Sequence, residues 1–305
     1  MTVTVQLIVP TLNAGELWPT FIEAVNSQIG LEFKVLVIDS GSRDHTVQLT
    51  QEAGWDLIQI QKSEFNHGGT RQLGIDSLNP EIELVIFMTQ DAILASTSSL
   101  KRLLEPFGDL QIAGVYGRQL PHHNATWYAA SQRRINYPEQ SICKSYEDRQ
   151  HTGIKTAFFS NSFGAYRVNS LKSIGGFPTD VPLGEDMYVC AKMLMAAFKI
   201  QYAAKAEVFH SHNLSFIEEF KRYYMTGLFH KREKWLIDNF NITLREGLNT
   251  IKLQWTDSYT LTIKGQIFIR FEILTRSLLK IIAYKMGRFA HLNTQSSRFR
   301  FWINS

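Results

Sequence analysis

Leu84-Val85-Ile86-Phe87-Met88-Thr89-Gln90-Asp91-Ala92 is the stretch on which the reading of this 305-residue chain turns. Its first five residues form an unbroken apolar run, the pattern of a parallel strand covered on both faces. The run passes into a short polar turn with a single carboxylate. Ser96, Thr97 and Ser98 then offer caps for a helix carrying Leu100, Leu103 and Leu104. Open α/β sheets bind ligands at the carboxyl ends of their strands, which makes Asp91 the first candidate for chemistry. Taken alone, the same Asp is equally an ordinary loop opener.

Upstream the pattern repeats. Residues 2–9 read as an apolar strand stopping at Pro10-Thr11-Leu12-Asn13, and residues 16–28 as a helix with Pro19 confined to its first turn. A second strand over 33–38 ends in Asp39-Ser40-Gly41-Ser42-Arg43-Asp44, followed by a helix at 46–53 and a third strand at 55–60. Alternating strands and helices at this spacing predict a right-handed parallel sheet with its polar strand ends along one edge, where a crevice forms. Asp39 is either a turn residue capping the next helix or an acceptor for ribose hydroxyls. The first strand lacks the glycine fingerprint of dinucleotide folds, since no glycine occurs before Gly15, which argues against a dehydrogenase. In Phe65-Asn66-His67-Gly68-Gly69-Thr70-Arg71, a Gly-Gly turn at a helix start leaves N–H groups for an anion, and Arg71 adds a bidentate donor. A plain turn is the alternative. A P-loop is excluded because its Gly-Lys-Ser/Thr ending is missing.

Bulk properties bound the function. Apolar residues make up 44% and charged residues 20%, ordinary for a globular protein with a real core. Cys143 and Cys190 are too few for a disulfide framework or a zinc site and suit a reducing compartment. Residues 1–10 carry no basic leader, and no apolar run is long enough to span a bilayer, so a cytoplasmic location is expected. The net charge of +4 is unevenly spread. Residues 262–305 hold eight Lys or Arg against Glu272 alone, leaving a slightly acidic body. That speaks against nucleic-acid binding and for an anionic partner of the tail.

Downstream, a strand at 114–120 leads into Pro121-His122-His123-Asn124. Neighbours on an extended chain point to opposite sides, so this is acceptor contact or plain loop rather than a metal pair. Residues 133–150 are polar and aperiodic and read as a mobile loop near the site. Leu183-Gly184-Glu185-Asp186-Met187 opens an amphipathic helix with Val189, Cys190, Met193, Leu194 and Ala197 as its apolar stripe. Carboxylates there also complement the helix dipole without any catalytic role. After a short strand at 200–203, Val208-Phe209-His210-Ser211-His212-Asn213 places two histidines on one face. A helix over 216–237 has Phe216, Phe220, Tyr223, Tyr224 and Leu228 on its apolar side. A long one over 267–292 carries Ile267, Phe268, Phe271, Leu274, Leu278, Ile281 and Ile282 among basic residues, suited to anionic lipid or another subunit.

Together, Pro10-Thr11-Leu12-Asn13, Asp39-Ser40-Gly41-Ser42-Arg43-Asp44 and the strand ending in an Asp motif resemble the nucleotide-sugar half of family 2 glycosyltransferases with the GT-A fold. Phe65 to Arg71 and Thr89-Gln90-Asp91-Ala92 are similar to the bacterial rhamnosyltransferase branch, whose donor is dTDP-L-rhamnose. Ile174-Gly175-Gly176-Phe177-Pro178 matches the family's pattern as well. The resemblance implies an α/β fold with a mostly parallel central sheet flanked by helices, a glycosyltransferase domain over 1–240, and a basic C-terminal helical extension over 241–305. It assigns Thr11, Asn13, Asp39, Gly68, Gly69, Arg71 and Gln90 to the donor, and Asp186 as base toward the acceptor hydroxyl. Glu185 orients that base or contacts acceptor, and His230 touches donor phosphate or is simply packed. Asp91 and His210 are the implied ligands of Mg2+ or Mn2+, the imidazole leaning toward Mn2+. Thr89 departs from the familiar Asp-X-Asp, leaving Asp91 as that motif's sole ligand. The expected activity is inverting, metal-dependent transfer of L-rhamnose to a sugar or lipid-linked oligosaccharide in surface polysaccharide assembly, at or near the inner face of the membrane, with a homo-oligomer as one arrangement. A UDP-hexose donor and a non-catalytic membrane-recruiting scaffold are the rival readings.

Overall fold

The computed structural model describes residues 4–290 apart from 182 and 243. The first half runs β1 (Val5–Thr11), α1 (Leu17–Asn26), β2 (Lys34–Asp39), α2 (Thr46–Glu52), β3 (Asp56–Gln59), α3 (His67–Asp76), β4 (Leu84–Met88), β5 (Ile93–Leu94), α4 (Ser99–Leu104) and β6 (Ile112–Leu120). Then follow α5 (Trp127–Asn136), β7 (Ile142–Lys144), α6 (Arg149–Thr152), β8 (Phe163–Arg167), α7 (Val168–Ser173), α8 (Glu185–Met195) and β9 (Lys199–Phe209). Four helices close the described chain: α9 (Phe216–Arg232), α10 (Lys234–Phe240), α11 (Leu244–Asp257) and α12 (Ile263–Phe289).

The strands form one sheet in the order β3-β2-β1-β4-β8-β6-β9-β5, with β7 also on β9. From β3 to β4 every pairing is parallel, as the alternating sequence predicts. Beyond β4 the sheet is mixed. Strand β8 runs antiparallel to both β4 and β6, β9 is parallel to β6, and β5 and β7 run antiparallel to β9. The registers Thr11↔Asp39 and Met88↔Phe163 leave the polar ends of β1, β2 and β4 together along one edge.

Both faces of β4 are covered. Val85 and Phe87 join the layer of Ile75, Val189 and Leu194, whereas Ile86 and Met88 join that of Trp18, Phe21 and Leu100. The period-two alternation thus divides one continuous apolar run between two cores. On the far side of the molecule, α9 and α12 touch backbone to backbone: a Cβ on Gly227 would run into the Tyr284 carbonyl, and one on Gly287 into that of Tyr224.

Four sequence expectations need correction. Residues 133–150 form no loose loop, because the segment holds the end of α5, the strand β7 and α6. The short strand at 200–203 is the start of the eleven-residue β9. The helix over 216–237 divides at Glu233 into α9 and α10. In α9 the buried residues are Glu219, Met225, Gly227, Phe229 and His230, rather than the aromatic stripe the spacing suggested. For the helix expected over 267–292, residues 291 and 292 lie outside the described residues, as do Arg298 and Arg300.

Candidate active site

The end of β4 delivers Asp91, and the end of β9 delivers His210 and His212. Antiparallel pairing of Ile93 with Phe209 brings the two ends together. Asp91 Oδ2 lies 3.5 Å from His210 Nε2 and 3.7 Å from His212 Nε2. One ligand atom from each residue falls within 4.8 Å of the others. His210 is buried, and its Nδ1 sits 2.9 Å from Gln119 Oε1. Because the amide oxygen can only accept, Nδ1 carries the proton and Nε2 faces Asp91 with its lone pair, the tautomer a metal ligand needs. Gln119 is fixed in turn by donating from Nε2 to Ser160 Oγ at 2.8 Å. Burial would raise the Asp91 carboxyl, but the facing histidines, His210 before His212, outweigh it and hold the group well below the usual carboxylate range. Burial and the neighbouring His210 bring His212 down to about 4, so it is a neutral donor at physiological pH. One carboxylate and two imidazoles converging on one point fit a divalent cation. His212 was not singled out as a ligand from the sequence, although its i, i+2 spacing from His210 was the signal.

Beside this cluster opens a cleft of about 390 Å³, lined by Leu17, Asp91, His122, Asn124, Ser211 and Glu218 among others. Its walls are tied together: Ser211 Oγ accepts from the His122 N–H at 3.0 Å, and Asn213 Oδ1 accepts from the Thr126 N–H at 2.8 Å. His122 and His123 both line that wall.

The Glu185-Asp186 pair opens α8. Gly184 precedes it at φ +82°, and a Cβ there would press on the Phe229 ring, so glycine is required. The two carboxylates have opposite surroundings. Glu185 is buried, with Oε1 3.1 Å from Arg71 Nη1 and accepting from Asn161 Nδ2 at 3.2 Å. Burial opposes its charge, but Arg71 and then His67 prevail and keep its carboxyl low. Asp186 is only partly buried, and among the described residues no cation lies within salt-bridge distance of it. Burial and the adjacent Glu185 charge push it up to about 7, although the Met187 N–H bonds its Oδ1 at 2.8 Å. A carboxylate titrating near neutrality is a competent general base.

Several residues assigned to the donor are engaged elsewhere. Arg71 is 4% exposed, and its Nη1 pairs with Glu185 and donates to the His67 carbonyl at 2.9 Å, so this end of the guanidinium is engaged inside the fold. Gly69 gives its N–H to the Asn66 side chain, which caps α3, and Gly68 is a glycine because the Pro178 carbonyl occupies the space of a Cβ. The phosphate-turn reading therefore gives way to a packing one. Asp39 is fully buried and accepts from Thr11 Oγ1, the Gly41 and Ser42 N–H groups and Ser42 Oγ, which fills its acceptor capacity. Thr11 and Asp39 shape the edge rather than reach ligand through these atoms. Gln90 clamps Leu12 by bonding its N–H at 2.8 Å and its carbonyl at 3.1 Å. Only Asn13 stays exposed, at φ +46°, its Oδ1 receiving the Arg43 N–H. His230 is packed: it is buried, lies 3.1 Å from the Tyr284 hydroxyl, and is brought down to about 4 by burial. Arg133, overlooked in the sequence because its segment read as loop, stacks over Tyr137 and is close enough to feel Asp91.

With this geometry in view, the likeness to known proteins is informative. The model of the family described as Glycosyl transferase family 2 matches residues 6–175. The O-antigen chain rhamnosyltransferase RfbN of Salmonella typhimurium is 41% identical over 285 residues, covering 93% of this chain and 89% of that protein. WbaN of Salmonella anatum, also named an O-antigen chain rhamnosyltransferase, is 39% identical over 92% of this chain and 88% of its own length. Among solved structures, the mannosyltransferase PcManGT from Pyrobaculum calidifontis, in complex with GDP-Man and Mn2+, superposes with a TM-score of 0.64 over 95% of this chain and 88% of that one at 15% identity. S. aureus TarS 1-349 gives 0.56 over 97% and 93% at 14% identity. These two share the GT-A fold, and the sequence relatives carry the assignment further: the chain belongs to glycosyl transferase family 2 and is a glycosyltransferase.

Proposed function

We propose that this glycosyltransferase moves L-rhamnose from dTDP-β-L-rhamnose to a sugar hydroxyl, with inversion to an α-linkage, in assembling a cell-surface polysaccharide. The sugar is supported by the two rhamnosyltransferase relatives that match nearly the whole chain. The mechanism is supported above all by Asp186, a carboxylate held near pKa 7 at the head of α8 without a cation of its own. The acceptor oxygen attacks the anomeric carbon as the bond to the diphosphate breaks, and Asp186 receives the hydroxyl proton. Such general-base assistance contributes roughly 10²–10⁴ in rate. A single base suffices, because direct displacement forms no covalent sugar–enzyme bond.

Asp91, His210 and His212 are the residues that would hold Mg2+ or Mn2+, and a cation bound there would neutralise charge on the departing diphosphate. Gln119 keeps His210 oriented for that purpose. Glu185, held ionised by Arg71, raises the basicity of Asp186 through its negative field and is the orienting neighbour rather than an acceptor contact. Asn13 and Arg133 are the side chains best placed to meet the donor. The test is a donor screen that measures release of nucleoside diphosphate in the presence of a lipid-linked oligosaccharide mixture. Turnover with dTDP-rhamnose well above that with UDP-glucose or UDP-galactose is expected; preference for a UDP-hexose would overturn the rhamnose assignment.

A further inference from the structure

Helix α12 buries one side and exposes an apolar one. The buried side consists of Ile269, Ile273, Arg276, Ala283 and Gly287, which meet the body of the protein. The opposite side carries ten large apolar residues, from 46% exposed at Ile281 to 81% at Phe289, among them the six Ile267, Phe268, Phe271, Leu274, Leu278 and Phe289. The apolar stripe therefore faces outward. Those six lie within one ~120°-wide side of a helix some ~40 Å long. A continuous patch of that kind is rare on a freely soluble surface.

The charges indicate what covers it. Arg276 and Lys280 are not available, because Glu219 holds them at 2.8 and 3.0 Å. Glu272, the only acid of α12, is turned to Arg276. Amid the exposed apolar residues stand Lys264 and Lys285, both exposed, with no carboxylate on that side. A second copy packed on this face would bring more lysines and no acid to meet them, whereas a surface of lipid phosphates complements them. The chain continues past α12 into Arg298-Phe299-Arg300-Phe301-Trp302-Ile303, an alternation of basic and aromatic residues favoured at a bilayer interface. Among the described residues no helix is long and apolar enough to cross a membrane. Contact is therefore along the surface.

We propose that α12 docks this chain on the surface of a bilayer containing anionic lipid, its apolar side at the boundary of headgroups and acyl chains and Lys264 and Lys285 against the phosphates. On its inner side Arg276 donates to the Leu214 carbonyl at 3.1 Å, and Leu214 lines the cleft beside Asp91. Docking so arranged holds the cleft rim about one helix diameter, ~10 Å, from the lipid. The proposal stands whichever sugar is transferred.

The test is flotation of the full chain with vesicles of phosphatidylcholine plus phosphatidylglycerol, and with phosphatidylcholine alone. The wild type floats with the mixed vesicles. The double variant Phe271→Glu with Leu278→Glu loses that binding at least about tenfold, with an unchanged melting temperature because both side chains are exposed. Lys264→Glu with Lys285→Glu lowers binding to the level of phosphatidylcholine alone. The proposal is overturned by wild-type chain that stays unbound with both vesicle types, or by apolar-face variants that float as before. It is equally overturned by a dimer in light scattering that the Phe271→Glu, Leu278→Glu variant dissociates, for then a second copy covers the face.

Discussion

The polar edge of the sheet has two corners that look alike in sequence and differ in kind. At the corner of β1, β2 and α3, Thr11, Asp39, Gln90 and Arg71 Nη1 are hydrogen-bonded within the protein. At the corner of β4 and β9, Asp91, His210 and His212 point ligand atoms at one another, within 4.8 Å. The first corner fixes shape and the second leaves coordination capacity open. A polar residue at a strand end is therefore not by itself evidence of ligand contact. What distinguishes the two is whether the lone pairs and N–H groups are already matched inside the fold.

The comparison can be broken by substitutions on either side. The largest effect on folding should come from Arg71→Ala, which strands the Glu185 carboxylate in the interior; a loss of about 3–5 kcal/mol is expected in urea unfolding. Normal stability with weakened donor binding would instead return Arg71 to the phosphate role. On the other corner, Gln119→Ala frees the His210 ring and should weaken Mn2+ binding by about 10–100-fold in calorimetric titration. Unchanged Mn2+ affinity would mean that the three residues are an ordinary hydrogen-bonded group.

The smallest effect concerns Asp186 and stability. Its folded-state pKa is raised to about 7, so the folded protein binds this proton more tightly than the unfolded chain. The stabilising contribution is complete below the ordinary Asp pKa of about 3.9, falls as pH rises, and is gone above about 7. Asp186→Asn, which resembles the protonated form, should therefore melt a few degrees higher than wild type at pH 8 and at nearly the same temperature at pH 4. A lower melting temperature at pH 8 would show that the anion is stabilised by contacts now assigned to Glu185.

Much of this was legible in residues. The apolar runs and their polar ends placed β1 to β4, and the Glu-Asp pair and the late histidines were visible as chemistry. The partner of Arg71 was not, because Glu185 lies 114 positions later and only the packing of α8 against α3 brings it near. Residues 133–150 lacked an apolar period because the end of α5 presents Arg133 toward Asp91 and Arg134 to Asp257 of α11, so the rule that finds helices by one apolar side did not apply. The stripe of α12 was legible as an apolar side, but the residues that seat the helix were not, since its buried side relies on Gly287, Ala283 and an ion-paired Arg276. Periodicity identifies a face, but not what covers it.

The central claim is that Asp186 takes the acceptor proton. It is tested most directly by measuring donor binding and kcat on the same preparation of Asp186→Asn. Donor affinity like that of wild type, with kcat lowered by about 10²–10⁴, is the predicted result. Transfer at the wild-type rate with donor bound normally would contradict it.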